Sequence, residues 1–79
     1  MIMACPVCEG QGNIYEAKVL DLGIIINICD ECEACWPKNQ TISIKNFKGL
    51  TTFLREHQLS YENAKIENLE YIEEIHNHN

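Results

Sequence analysis

The chain has 79 residues, with twelve acidic and six basic side chains, a formal charge of −6 and 46% apolar residues. This suits one small globular domain with little core to spare, is too apolar for a disordered chain, and includes no apolar run near the roughly 18 residues that a membrane-spanning helix needs. The net negative charge opposes nucleic acid, whose phosphates are bound largely through Lys and Arg, and favours a basic protein partner.

The first element in chain order is the pair Cys5-Pro6-Val7-Cys8. Two residues between cysteines let a tight turn aim both sulfurs at one ion, while backbone amides of the turn point at the thiolates. Pro6 has a fixed φ that pre-forms such a turn. Gly10 and Gly12 mark a further turn, and from Asn13 to Val19 the chain alternates, with Tyr15, Ala17 and Val19 on one face and Glu16 and Lys18 on the other. The alternation predicts a half-buried strand. Leu20-Asp21-Leu22-Gly23 supplies a turn in which Gly23 can take a positive φ, and Ile24 to Ile28 returns as a β-branched strand. That strand leads directly into the second pair, Cys29-Asp30-Glu31-Cys32, with 20 residues between Cys8 and Cys29.

Trp36-Pro37-Lys38-Asn39 reads as a break, followed by a third strand from Gln40 to Ile44 with Ile42 and Ile44 inward. Phe47, Leu50, Phe53 and Leu54 recur at helical spacing and predict a helix from Asn46 to His57, weakened by Gly49. Ser60 suits the N-cap of a second helix, from Tyr61 to Ile75. At 100° steps, Tyr61, Ala64, Leu69, Ile72 and Ile75 share one arc; Glu62, Glu67, Glu70, Glu73 and Glu74 share the opposite one, and Lys65 and Ile66 fall on the wrong side. The expected fold is thus a small α+β domain over residues 1–79. A ribbon of three short antiparallel strands and two cysteine knuckles spans 1–45, two C-terminal helices pack on it over 46–75, and 76–79 form a frayed tail.

The spacing C-x2-C, x20, C-x2-C makes Cys5, Cys8, Cys29 and Cys32 candidate ligands of one structural Zn2+. Four thiolates complete a tetrahedron and leave no position for water or substrate. A structural zinc contributes about 10 to 16 kcal/mol of apparent binding energy, against the roughly 3 to 5 kcal/mol that a core of this size supplies, so the metal is expected to hold the fold. It also adds about −2 to the net charge. Rubredoxin-type iron is the competing occupant. Zinc is preferred because the residues after each pair are Glu9 and Glu33, where a rubredoxin-like site usually has Gly, and because the helical C-terminal half has no rubredoxin counterpart. Disulfides suit a secreted chain; five cysteines and no signal-peptide pattern predict a cytoplasmic protein instead.

Cys35 forms another C-x2-C with Cys32 and is read as a small apolar core residue. His57, His76 and His78 are read as surface residues, since four cysteines already fill a zinc site. No Ser-His-Asp order, phosphate-binding Gly-rich loop or H-E-x-x-H is present, and the chain is expected not to be an enzyme. Residues 1–37 carry six acids and one base, 38–59 one acid and four bases, and 60–79 five acids and one base. Lys38, Lys45, Lys48 and Arg55 could form a phosphate-binding stripe, but are read as solvent-facing residues that offset the acidic blocks.

The run Ile28-Cys29-Asp30-Glu31-Cys32-Glu33-Ala34-Cys35-Trp36, preceded by the Cys5–Cys8 pair and an Ile-rich strand, resembles a group of short bacterial zinc-ribbon proteins that pair a ribbon with a small helical C-terminal part. Some such proteins are encoded beside toxins of contact-dependent growth inhibition systems. The resemblance implies an immunity role, that of binding and blocking a cognate toxin domain. Together with the acidity, it predicts a module that caps a basic nuclease-type toxin by presenting carboxylates where nucleic-acid phosphates would sit. A ribbon contacting nucleic acid or the transcription or translation machinery, and a rubredoxin-like electron carrier, are the alternatives. Two partner surfaces are expected: the ribbon tip, with Asp30, Glu31 and Glu33, and the last helix, with Glu62, Glu67, Glu70, Glu73 and Glu74. The helix is the larger contributor, and Tyr71 is its aromatic anchor.

Overall fold

The computed structural model describes residues 1–74. The alternating stretch becomes β1 (Ile14–Val19), and the isoleucine run becomes β2 (Ile24–Cys29), paired antiparallel from Ile14 opposite Cys29 to Val19 opposite Ile24. The turn between them closes through the Leu22 and Gly23 amides, which both donate to the Val19 carbonyl. Gly23 takes the positive φ expected of it, 67°.

Beyond Cys32 the structure departs from the expected ribbon. The third strand is β3 (Ala34–Pro37), directly after the second cysteine pair, and not Gln40 to Ile44. It pairs antiparallel with β2, setting Trp36 opposite Asn27 and Cys35 opposite Ile28. Burial explains the shift: Ala34, Cys35 and Trp36 are each at most 1% exposed, so this strand is covered on both faces and shows no alternation to read. Residues 38–47 instead curl over the Trp36 ring. Its indole N–H donates to the Ser43 carbonyl at 3.0 Å and to Asn46 Oδ1 at 3.1 Å, and Asn46 in turn donates to the Thr41 carbonyl. Ile42 packs on that side of the sheet, but Ile44 is exposed rather than inward.

A two-residue strand, β4 (Lys48–Gly49), pairs with β3 and leads into a short helix, α1 (Leu50–Glu56), the one α-helix among the described residues. The helix is shorter than the expected 46–57, because Gly49 is its N-cap rather than a weak interior position. Leu50, Phe53 and Leu54 are buried as the helical spacing required, whereas Phe47 lies outside the helix and is 40% exposed. They cover one sheet face, against Ala17, Val19, Ile26, Ile28 and Cys35.

The second expected helix is overturned. Ser60 does cap, accepting the Asn63 amide on its hydroxyl and the Ala64 amide on its carbonyl, but the turn stops there. The chain continues as β5 (Ile66–Tyr71), antiparallel to the outer edge of β1, and completes a five-stranded antiparallel sheet of order β4-β3-β2-β1-β5. Two facts outweigh the helical period. The edge of β1 would otherwise present unpaired amides and carbonyls. Ile66, the residue on the wrong side of the helical arc, packs on the core when the segment is a strand. The glutamate arc is therefore dispersed: Glu67 stands opposite Lys18 on the β1–β5 ladder, Glu62 sits in the capped turn, and Glu73 meets the Met1 amino group. Ile75, His76 and His78, with the rest of the expected tail, lie outside the described residues.

A second core lies on the other sheet face, where Ile14, Ala34 and Trp36 pack with Cys5 and Cys29. The N-terminal residues close it, with Met3 accepting from Ile14 and donating to Ile72, and Cys5 donating to the Gly12 carbonyl. The sheet is thus capped at one end by both cysteine pairs. No helix among the described residues is long and apolar enough to cross a membrane.

Candidate metal centre and the adjoining acidic surface

Both cysteine pairs form knuckles of the same design. In the first, the Val7 amide donates to Cys5 Sγ at 3.3 Å, and the chain turns back through Gly10 N–H to the Cys5 carbonyl. In the second, the Glu31 and Cys32 amides donate to Cys29 Sγ at 3.3 and 3.4 Å, and the Glu33 amide returns to the Cys29 carbonyl. The residue after each pair is left-handed, Glu9 at φ 57° and Glu33 at φ 61°. These are the positions at which the absence of Gly favoured zinc over iron. Because both keep the backbone conformation that Gly adopts readily, that preference loses its force.

The β1–β2 register brings the knuckles together. The sulfurs of Cys5, Cys8, Cys29 and Cys32 all lie within 4.8 Å of one another. Four sulfurs about 2.3 Å from a central ion form a tetrahedron with edges of about 3.8 Å. Cys5 and Cys32 Sγ are 3.8 Å apart, and Cys8 and Cys29 Sγ 3.7 Å. The donor set and spacing fit one tetrahedral ion, and the distances suit zinc and iron equally.

The amides that aim at sulfur also prepare the thiolates. Burial pushes the Cys5 thiol up to about 12. Burial also raises Cys29, but the Cys32 and Glu31 amides and the Cys5 and Cys32 thiols together outweigh it, and Cys29 falls below the ordinary thiol range. Metal binding must therefore displace protons. Gly12 makes room for this geometry. A Cβ there would stand 2.5 Å from Cys29 Sγ, 2.6 Å from Glu31 Cβ and 2.8 Å from Asp30 Oδ1. Its role is close approach, beyond the turn for which it was read.

Cys35 is not part of the cluster. It lies on the opposite sheet face among Leu50, Phe53 and Leu54, 1% exposed, and burial pushes its thiol up to about 11. This is the small apolar core residue expected. His57 closes the helix, its Nδ1 3.0 Å from the Phe53 carbonyl and its ring against Phe53.

Two expected acidic blocks that are remote in sequence meet beside the metal centre. The Tyr71 hydroxyl donates to Asp30 Oδ2 at 2.8 Å, and the Tyr61 hydroxyl to Glu33 Oε2 at 2.7 Å. A register shift between Tyr15 and Ala17 sets Tyr71 opposite Tyr15, with ring centroids 5.7 Å apart in an edge-to-face pair. The Asn13 amide and the Tyr71 hydroxyl hold Asp30 below the ordinary carboxylate range. Tyr15 is raised first by burial and then by the Glu33 and Asp30 charges, a sign of negative potential there. Of the sequence candidates, Asp30, Glu33 and Tyr71 are brought together. Glu31, Glu62 and Glu70 are exposed with no part in these bonds, and Tyr15 and Tyr61 join the surface unforeseen.

Compared with family models, curated proteins and solved structures, the chain has no match. The site therefore rests on its own geometry.

Proposed function

We propose that this is a cytoplasmic, acidic protein-binding module, built on one structural Zn2+ held by Cys5, Cys8, Cys29 and Cys32, that acts as an immunity protein by binding and blocking a basic, nuclease-type toxin domain. The observation that carries this reading is the joining of the two acidic segments by Tyr71 to Asp30 and Tyr61 to Glu33. Carboxylates locked by short hydrogen bonds lose little freedom when a cationic surface docks. Long-range charge speeds the encounter, and aromatic side chains supply local affinity. The nucleic-acid alternative is disfavoured further because Lys38 and Lys48, half of the basic middle block, are ion-paired with Glu16 and Glu56. A tetrathiolate site with every ligand position filled offers no place for substrate, so no catalytic turnover is expected.

Co-expression with a nuclease-type toxin domain encoded beside the gene tests the role. Growth should be restored by the parent chain and less well by one carrying Asp30→Asn with Glu33→Gln. Unprotected cells, with both proteins soluble, would refute it. The electron-carrier reading keeps one supporting observation, the left-handed Glu9 and Glu33 after the knuckles. It requires a coloured ferric protein, whereas a zinc protein is colourless.

A further inference from the structure

An open cavity of about 220 Å³ lies between the second knuckle and the β1–β5 edge, lined by the metal-ligand candidate Cys29 together with Tyr15, Asp30, Glu33, Asn68, Leu69 and Tyr71. It lies below the roughly 300 to 1,000 Å³ typical of small-molecule pockets, which suits one inserted side chain. We infer that it is a receptor for a single arginine side chain of the basic partner, with the guanidinium stacked on a tyrosine ring and hydrogen-bonded to Asp30 and Glu33. The inference rests on the proposed function and names the chemistry of its contact.

Three features converge on that cation. The edge-to-face geometry of Tyr15 and Tyr71, at 62°, leaves one ring's face uncovered by the other, and a guanidinium stacks on such a face through both its charge and its plane. Asp30 accepts the Asn13 amide on one oxygen and Tyr71 on the other, while Glu33 accepts Tyr61 on Oε2. Each ionised carboxylate has about four acceptor positions, so these bonds fix the groups without saturating them. Leu69, 42% exposed, offers an apolar wall for the methylene stem. A lysine ammonium would find the charge but lacks the plane to share between ring and carboxylate. An anionic side chain would be repelled by both carboxylates.

The full-length, metal-loaded protein is titrated with N-acetyl-arginine methylamide, N-acetyl-lysine methylamide and N-acetyl-citrulline methylamide, and amide and tyrosine ring signals are followed by NMR. The arginine probe should saturate with shifts centred on Tyr15, Asp30, Glu33, Leu69 and Tyr71. The lysine probe, which lacks the planar fork, should bind about five-fold more weakly, and the neutral citrulline should not saturate. Tyr71→Leu should weaken arginine about five-fold or more, while Tyr71→Phe, which keeps the ring, loses less; metal content and amide dispersion verify both folds. Equal shifts from arginine and citrulline, or non-saturating shifts spread over remote acids such as Asp21 in the β1–β2 turn, overturn the inference. Toxin binding without a saturable arginine site overturns it and leaves the proposed function standing. A saturable arginine site in a chain that gives no protection leaves it standing and overturns the immunity role.

Discussion

Tyr71, on the last strand, hydrogen-bonds Asp30 of the second knuckle at 2.8 Å across 41 positions of sequence. This one bond joins the acidic C-terminal segment to the acidic metal end of the sheet. Neutralising the joined surface by Asp30→Asn with Glu33→Gln, which keeps one acceptor oxygen on each side chain, should lower the association rate with a basic toxin domain about ten-fold at low salt and much less at high salt. The same change at Glu62 and Glu70 should have the smaller effect. Stopped-flow or surface-binding kinetics over a salt series checks this, and equal effects of the two double variants would place the interface elsewhere.

The glycines separate close approach from mere flexibility. Gly12→Ala must displace Cys29 Sγ, Glu31 Cβ and Asp30 Oδ1, so it should cost about 1 to 3 kcal/mol and weaken metal retention against a chelator. A Cβ at Gly49 would meet nothing within 4 Å. Its φ of −68° is open to any residue, and the helix has no side-chain cap there, so Gly49→Ser should be neutral or stabilising by a few tenths of a kcal/mol. Thermal denaturation alongside chelator competition reads both.

Asn27 sits in the middle of β2, 6% exposed, and its Oδ1 has no hydrogen-bond partner. An unsatisfied buried acceptor costs about 1 to 3 kcal/mol, and Val has nearly the same size with a better strand preference. Asn27→Val should therefore raise the melting temperature, by about 4 to 8 °C for each kcal/mol gained. A lower melting temperature would mean that the side chain makes an interaction that valine cannot replace.

The parts that the sequence made legible are those where pattern and burial agree. The hairpin from Ile14 to Cys29 is half-buried along β1 and turns at a glycine that needs positive φ, so alternation and turn chemistry point the same way. The Leu50, Phe53 and Leu54 spacing marks a face that is indeed buried. The cysteine spacing locates the four sulfurs because the β1–β2 register carries Cys8 and Cys29 to one end. What failed was strand identity. β3 is buried on both faces and has no period, and Pro37 looked like a breaker although it ends the strand. The last segment is rich in residues that accept a helix, and its strand form is chosen by the open edge of β1, a partner remote in sequence. The Tyr15, Tyr71 and Asp30 constellation depends on that same pairing and its register shift, so no local pattern could reveal it.

The five cysteines should divide four to one. Ser at Cys5, Cys8, Cys29 or Cys32 removes a ligand from a tetrahedral set and should abolish metal binding and cooperative unfolding. Cys35→Ala should keep the metal and cost about 1 kcal/mol, since it only trims an apolar contact beneath the helix. Metal content and circular dichroism of the five variants distinguish these outcomes; metal loss in Cys35→Ala would place its thiol in the site.

The account stands on a closed tetrathiolate centre, and its most direct test is metal analysis of freshly purified full-length protein together with the absorption spectrum of its cobalt-substituted form. It predicts one zinc per chain, no iron, and intense tetrahedral cobalt bands that vanish together with the fold when a chelator strips the ion. Protein that folds cooperatively without any metal, or cobalt bands showing fewer than four thiolates, would contradict it.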